Sequence, residues 1–350
     1  QIRQHFPGEE AGLDAFLRAE SLRYEKMAPC LQKDYSQFSA MLSKDMWRAL
    51  PHLSLGKTLF SNLGCYFRNE TLRTCFTFQA KYLGMSPWQC PAAFTIIPFV
   101  EHAHGIFHVR GGLSRISNAM ADVFVEQGGN IRLESRVQRI IVKNGAAKGV
   151  VLENGEILHA EAVVINADFA HAMNTLFEPG VLRKYAPERL RKKQYSCSTF
   201  MMYLGLDTLY QEPHHAIYFA KDYYENIQDI AVRGKVSEDL SIYIRNASIT
   251  DPDLAPAGKS ALYVLVPVPN NKAGIDWPKV RDAVRDRVMQ SIKCRTSMKD
   301  IEDHIEVERV ITPADWERNS VYLGATFNLA HTLRQMLYFR PHNQFDELDR

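Results

Sequence analysis

The segment from Gly111 to Asp168 constrains the fold of this chain more than any other stretch. Gly111-Gly112 opens a helix in which Leu113, Ile116, Met120 and Val123 recur on one face, and Gly128-Gly129 closes it. Ile131 and Leu133 alternate with polar neighbours as in a strand, and Val137 to Val142 reads as a second strand. Gly149 to Glu153 and Glu156 to His159 flank Asn154-Gly155, a pair that accepts the positive φ a tight hairpin demands. Ala162 to Ala167 (Ala-Val-Val-Ile-Asn-Ala) predicts a fully buried strand that ends at Asp168, an N-cap for the helix after it. At its simplest this is a βα unit with a hairpin.

The 350 residues allow one large or two ordinary domains. From Gly12 to about Leu83 the pattern is helical, with Ala15, Phe16, Ala19 and Leu22, then Leu72, Cys75, Phe76 and Gln79, on the same beat. Tyr82 to Val100 carries no formal charge and approaches the ~20 residues of a membrane span. Pro87, Pro91 and Pro98 interrupt it, so an apolar loop is expected, lining a greasy cavity or dipping into a bilayer. Beyond Gly180, strand-like runs at Thr199–Leu204, Leu240–Ile244 and Ala261–Val266 and a helix at Pro278–Ile292 predict a second layer with a mixed sheet. The opening Gln1-Ile2-Arg3-Gln4 and the polar close suggest that both ends are cut.

Several function classes drop away. A net charge of +2 gives no field to recruit nucleic acid. The six cysteines form no C-x-x-C pair and suit a reducing cytoplasm. No two glycines stand two positions apart, so a dinucleotide fingerprint is absent, as are a phosphate-binding G-x-x-x-x-G-K loop and a G-x-S-x-G elbow. Glu101, His102, His104 and His108 invite a metal reading, but no H-E-x-x-H frame supports it, and no metal is expected.

Other segments carry a resemblance. The block from Gly111 to Asp168 resembles the middle flavin-contacting segment of the FAD-linked amine oxidase and phytoene desaturase superfamily. Asp45-Met46-Trp47-Arg48-Ala49-Leu50-Pro51 is similar to a segment of the bacterial phytoene desaturases. So are Gly105 to Gly112, Thr250 to Gly258, Tyr263 to Pro269 and the closing Phe339-Arg340-Pro341-His342-Asn343. The likeness covers essentially the whole chain, and departs from the family in lacking its N-terminal dinucleotide motif and its C-terminal flavin segment.

The resemblance implies an α/β fold: a partial FAD-binding, Rossmann-like domain, plus a substrate domain with a mixed sheet and a helical, membrane-facing part. Residues 1–105 would form the helical region, 106–178 the middle of the FAD domain, 179–325 the substrate domain, and 326–350 a return toward the FAD domain. Val137, Ala167 and Asp168 would contact FAD, with the strands of Val137 and Asp168 side by side. The activity implied is introduction of conjugated double bonds into a carotenoid precursor, hydride passing to flavin and a proton to a carboxylate. Asp45 and Arg48, three apart and so on one helix face, are the acid/base candidates; a surface ion pair is the plainer reading. Tyr82, Trp88, Phe94, Phe99 and Phe107 are candidates to line the hydrocarbon site, against plain core packing. Basic residues from Arg183 to Lys193 suggest peripheral membrane contact from the cytoplasm, or a solvated helix face. A polyene isomerase or saturase, or a non-catalytic lipid-binding fragment, are the rival readings.

Overall fold

In the computed structural model the described residues are 1–348, the side chain of Tyr82 excepted. Short helices dominate the first hundred: α1 (Ile2–His5), α2 (Glu10–Leu31), α3 (Lys44–Ala49), α4 (Leu59–Leu63), α5 (Glu70–Cys75) and α6 (Ile96–His104). Phe16 of α2, Leu59 and Leu63 of α4, Leu72 of α5 and Phe99 of α6 bury one shared core. The proline-broken run from 82 to 100 is thereby folded into packed structure rather than left as a loop. Pro91 pairs in a bridge with Thr58, and Pro98 sits in the first turn of α6, where its missing N–H costs no hydrogen bond. No helix of the described residues is long and apolar enough to cross a membrane.

Arg23 fastens these helices together. It pairs with Glu20 at 2.8 Å, both side chains almost fully buried. Its Nε donates to the His52 carbonyl at 2.6 Å, Nη1 to the Ala92 carbonyl at 3.0 Å and to the Thr95 hydroxyl, and Nη2 to Ser54 Oγ at 2.7 Å. One guanidinium thus ties α2 to two separate segments, 52–54 and 92–95. Burial pushes the Glu20 carboxyl up, against the pull of Arg23.

Next come α7 (Ser114–Glu126), a three-stranded antiparallel sheet of β1 (Val137–Lys143), β2 (Ala146–Leu152) and β3 (Ile157–His159), and α8 (Phe169–Thr175). The Asn154-Gly155 hairpin forms as expected, and Asp168 caps α8 through the His171 N–H at 2.8 Å. Two expectations fail. Ile131 and Leu133 join no strand, and 162–167 is an unpaired segment without regular structure in which Val164 is 93% exposed. A buried strand needs partners for its backbone, and none of the described residues pairs with this one. β1 and 162–167 are therefore not hydrogen-bonded neighbours; β1 meets the end of α8 instead, Ile140 N–H donating to the Leu176 carbonyl at 2.8 Å. The apolar stripe of α7 is equally bare, with no buried residue and Met120 69% exposed.

The rest of the chain builds a five-stranded sheet in the order β5-β6-β7-β4-β8. Its strands are β4 (Ser198–Leu206), β5 (His215–Tyr218), β6 (Ile242–Asn246), β7 (Ser260–Val268) and β8 (Ile305–Ile311). Helices α10 (Tyr223–Gln228), α11 (Trp277–Arg295) and α12 (Pro313–Arg318) flank it, while α9 (Pro187–Leu190) packs with α8. Every pairing is antiparallel, where a mixed sheet was expected. Phe200, Met202, Leu204, Ile242, Ile244, Leu262, Val264 and Val266 all point to one face, sealed by Trp277, Val284, Val288 and Ile292 of α11. That alternation is what an antiparallel sheet covered on one side requires. The helical part docks on the sheet through Gly84, whose φ of 61° and missing side chain admit Ser196. The Gly84 carbonyl there accepts the Cys197 N–H at 3.2 Å.

Replacing Arg23 with Ala strands the buried Glu20 without its cation. We expect a loss of about 3–5 kcal/mol, the usual cost of breaking a buried pair on one side, read as a lowered midpoint in urea unfolding. A change within 1 kcal/mol (roughly the worth of a surface pair) would contradict this account of the helical core.

Candidate functional site

Sealing one face of the five-stranded sheet leaves the other face to different residues. On it the register sets Arg245 of β6 opposite Tyr263 of β7, Tyr263 opposite Tyr203 of β4, and Tyr203 opposite Arg309 of β8. Tyr243 adds its ring beside Tyr263 at 5.9 Å, and Tyr203 meets Tyr263 edge-on at 5.5 Å. A cavity of about 720 Å³ opens over this row, lined also by Leu254, Ala261 and Trp316. Trp316 is fixed by donating its indole N–H to the Thr199 carbonyl at 3.1 Å.

One edge of the cavity is held by a hydrogen-bonded chain that reaches the Gly111-Gly112 turn. Asp251 accepts the Gly111 N–H at 2.7 Å and lies 2.8 Å from His108 Nε2. Arg245 donates to His108 Nδ1 at 3.2 Å. A guanidinium cannot accept, so Nδ1 is the acceptor and Nε2 carries the proton to Asp251. The His108 bond and the Gly111 N–H hold the Asp251 carboxyl below its usual range. His214, edge-on to His108 at 5.1 Å, is pushed down to about 4 by burial and by neighbours that include His215 and Arg245.

A second feature sits where the helical part meets the sheet domain. Lys81 lies over the rings of Phe219 at 5.2 Å and Tyr223 at 5.4 Å, and has no carboxylate partner among the described residues. Burial pushes its ammonium down to about 8 and the neighbouring Cys197 thiol up to about 12. Trp88 packs on the same Tyr223 at 5.6 Å.

The residues anticipated from sequence fall in several places. Asp45 and Arg48 lie on α3, but the tight partner of Asp45 is Lys33 at 2.7 Å, and Arg48 stands at 3.9 Å, largely exposed. The Lys33 bond lowers the Asp45 carboxyl first, with Arg48 a lesser contributor. Val137 starts β1, half-buried; Ala167 is exposed. Asp168 is half-buried, raised by that burial, and bonded to Asn328 Nδ2 at 3.1 Å as well as capping α8. Trp88 and Phe94 face the junction with the later chain, Phe94 meeting His331 at 6.0 Å. Phe99 packs in the helical core against Tyr24, and Phe107 is 85% exposed. The side chain of Tyr82 lies outside the described residues. Glu101 is engaged by Gln79 and His108 by Asp251, and no trio of potential metal ligands assembles among the described residues.

The row of Arg245, Tyr263, Tyr203 and Arg309 was not foreseen. Three of its strands were legible, and their odd positions (Tyr243, Arg245, Tyr263, Tyr203) break the aliphatic pattern of the sealed face. The strand Ile305–Ile311 lies outside those apolar runs, and only the register makes the four a row.

These elements have the layout of a flavoprotein family. A family model for flavin containing amine oxidoreductases matches residues 2–346, and the chain belongs to that family. Its curated relatives narrow the assignment to the carotenoid desaturases. A 4,4'-diapophytoene desaturase (4,4'-diapolycopene-forming) of Methylomonas sp is 52% identical across 99% of this chain and 68% of its own length. An all-trans-zeta-carotene desaturase of Myxococcus xanthus is 38% identical across 84% of the chain and 57% of its own length. The chain therefore spans about two thirds or less of these relatives. Among solved structures, an oxidoreductase from Methanosarcina mazei (TM-score 0.53, 18% identity, 78% of this chain and 62% of that one) shares the fold. A putrescine oxidase mutant does too (TM-score 0.53, 12% identity, 94% and 68%). The family's cofactor is a flavin.

Lys81 gives a test of the junction. A lysine whose ammonium is disfavoured in the fold destabilises it below its folded value, and that penalty fades as pH rises toward ~10.4, the free lysine value. Lys81→Met should be more stable than the native chain at pH 7. Its advantage should shrink by about 3 kcal/mol by pH 10.5, taking ~1.4 kcal/mol per unit between about 8 and 10.4. A pH-independent difference in urea unfolding would refute the buried, unpaired ammonium.

Proposed function

We propose that the whole protein is an FAD-dependent desaturase that introduces conjugated double bonds into a carotenoid precursor of the phytoene or apo-phytoene type. The observation that carries this reading is the open sheet face: an aromatic wall over a cavity of about 720 Å³, on a chain 52% identical to a diapophytoene desaturase. A hydrocarbon offers nothing to hydrogen-bond, so shape and apolar contact must hold it. Tyr203, Tyr263 and Leu254 supply one wall; Trp88 and Phe94, at the junction of the helical part with the later chain, stay candidates for the apolar approach to it. Phe99 and Phe107 are left out, one engaged in core packing and the other projecting outward.

Bound FAD would accept hydride; the proton must go elsewhere. Asp45, kept ionised chiefly by Lys33 and secondarily by Arg48, is the carboxylate we assign to receive it. The main chain at Val137 and the Ala167–Asp168 turn would hold the adenine-bearing half of the cofactor. Access from a membrane is supported by Leu31, Phe38, Leu42, Trp47 and Leu55, each more than half exposed beside Lys33 and Arg48. Apolar side chains flanked by cations suit the boundary of an anionic bilayer. We assign the protein a peripheral contact with a membrane from the cytoplasmic side.

The test is expression of the full-length gene in a host that accumulates phytoene or diapophytoene, with pigments read by absorption. A red-shifted product with more conjugated bonds is expected. Asp45→Asn should lower its yield by roughly 10²-fold or more, the usual weight of a lost acid/base group. Unchanged conjugation would point to an isomerase and shortened conjugation to a saturase. Normal pigment from Asp45→Asn would remove that residue from the mechanism.

A further inference from the structure

The two ends of the row across the open sheet are cations that no carboxylate among the described residues pairs with. Arg245, Tyr263, Tyr203 and Arg309 stand on four adjacent strands. At about 4.8 Å per strand gap the two arginine backbones lie ~14 Å apart, yet both side chains line the same cavity. The cavity lining contains no carboxylate and no lysine among the described residues. The nearest acids are committed elsewhere. Glu308 is bound by Arg285 on the sealed face, Glu306 by Lys259, and Asp251 by His108 and the Gly111 N–H. Arg245 spends one N–H on His108, which aims the guanidinium, and Arg309 makes no ion pair or side-chain hydrogen bond among the described residues.

Arg245 is half-buried and Arg309 exposed at the edge of the cavity, and a guanidinium with no carboxylate partner is a ready receptor for an anion. A pure hydrocarbon brings none. We propose that this cavity is a binding site for a long apolar chain, polyene or acyl, that ends in a carboxylate. The carboxylate is taken by the guanidinium of Arg245 or Arg309 in a two-point hydrogen bond, the geometry arginine offers and lysine does not. The chain lies over the rings of Tyr263 and Tyr203. An oxygenated, acid-ended polyene is thereby admitted alongside the hydrocarbon of the proposed function. This inference rests on the same reading of the open face as a ligand wall, but its test requires no catalysis.

The full-length protein is titrated with cis-parinaric acid and, separately, with its methyl ester, following energy transfer from tryptophan, of which Trp316 lines the cavity. The acid should bind about tenfold tighter or better, as a charge-assisted pair in a partly buried site implies. Arg245→Gln/Arg309→Gln should bring acid and ester to parity by weakening the acid alone. Arg309→Gln by itself should reduce the preference, and keeps the test readable should loss of Arg245 loosen its His108 contact. Equal binding of acid and ester by the native protein would overturn the proposal. So would a preference that survives the double replacement, or displacement of the acid by dodecyl phosphate more readily than by laurate. A clear acid preference in a protein that makes no pigment would spare this site and count against the desaturase reading; pigment with no acid preference would do the reverse.

Discussion

Everything placed at the candidate site depends on one constraint: α11 covers only one face of the five-stranded sheet. Trp277, Val284, Val288 and Ile292 bury the even positions of β4, β6 and β7. Because side chains alternate along a strand, that burial fixes which residues the opposite face must present. Slipping the register by one residue would bring Tyr203, Tyr263 and Arg245 into the core and expose Leu204, Leu262 and Ile244. Hydrophobic burial on the sealed side thus positions the aromatic and cationic groups on the open side, without any contact between those groups being needed to do so.

Polar ties then set the surroundings of that face. Arg23, buried against Glu20 and bonded to segments 52–54 and 92–95, braces the helical part that carries Lys81, Trp88 and Phe94. Gly84 lets that unit approach β4 closely enough for a backbone hydrogen bond. Asp251 joins the Gly111 turn to the sheet through His108 and Arg245. The connections are directional, so each fixes an orientation as well as a distance. The bare stripe of α7 and the unpaired 162–167 segment stand apart from this framework.

Local signals were legible where local physics decides the outcome. The Asn154-Gly155 hairpin, the Asp168 cap and the helix starting near Pro278 formed where residue chemistry put them. Ala162–Ala167 misled because an apolar run says that a segment can be buried, while pairing decides whether it is. The Asp45–Arg48 spacing was read correctly as one helix face, yet Lys33, a residue brought near by the fold and not by spacing, holds Asp45 more tightly. The wall of the cavity escaped notice for a related reason. Arg245, Tyr263, Tyr203 and Arg309 are spread over four strands, and only strand order and register make them neighbours.

The central claim is that polyene chemistry takes place against the open sheet face, and filling that face is the most direct way to try it. Ala261 is exposed, lines the cavity and lies on the side away from α11, so a large ring there leaves the core untouched. The decisive measurement is the pigment spectrum of a phytoene- or diapophytoene-accumulating host carrying the full-length protein with Ala261→Trp. The account predicts loss of the red-shifted product while flavin absorbance and the unfolding midpoint stay as in the native protein. A spectrum and yield matching the native protein would show that the substrate lies elsewhere.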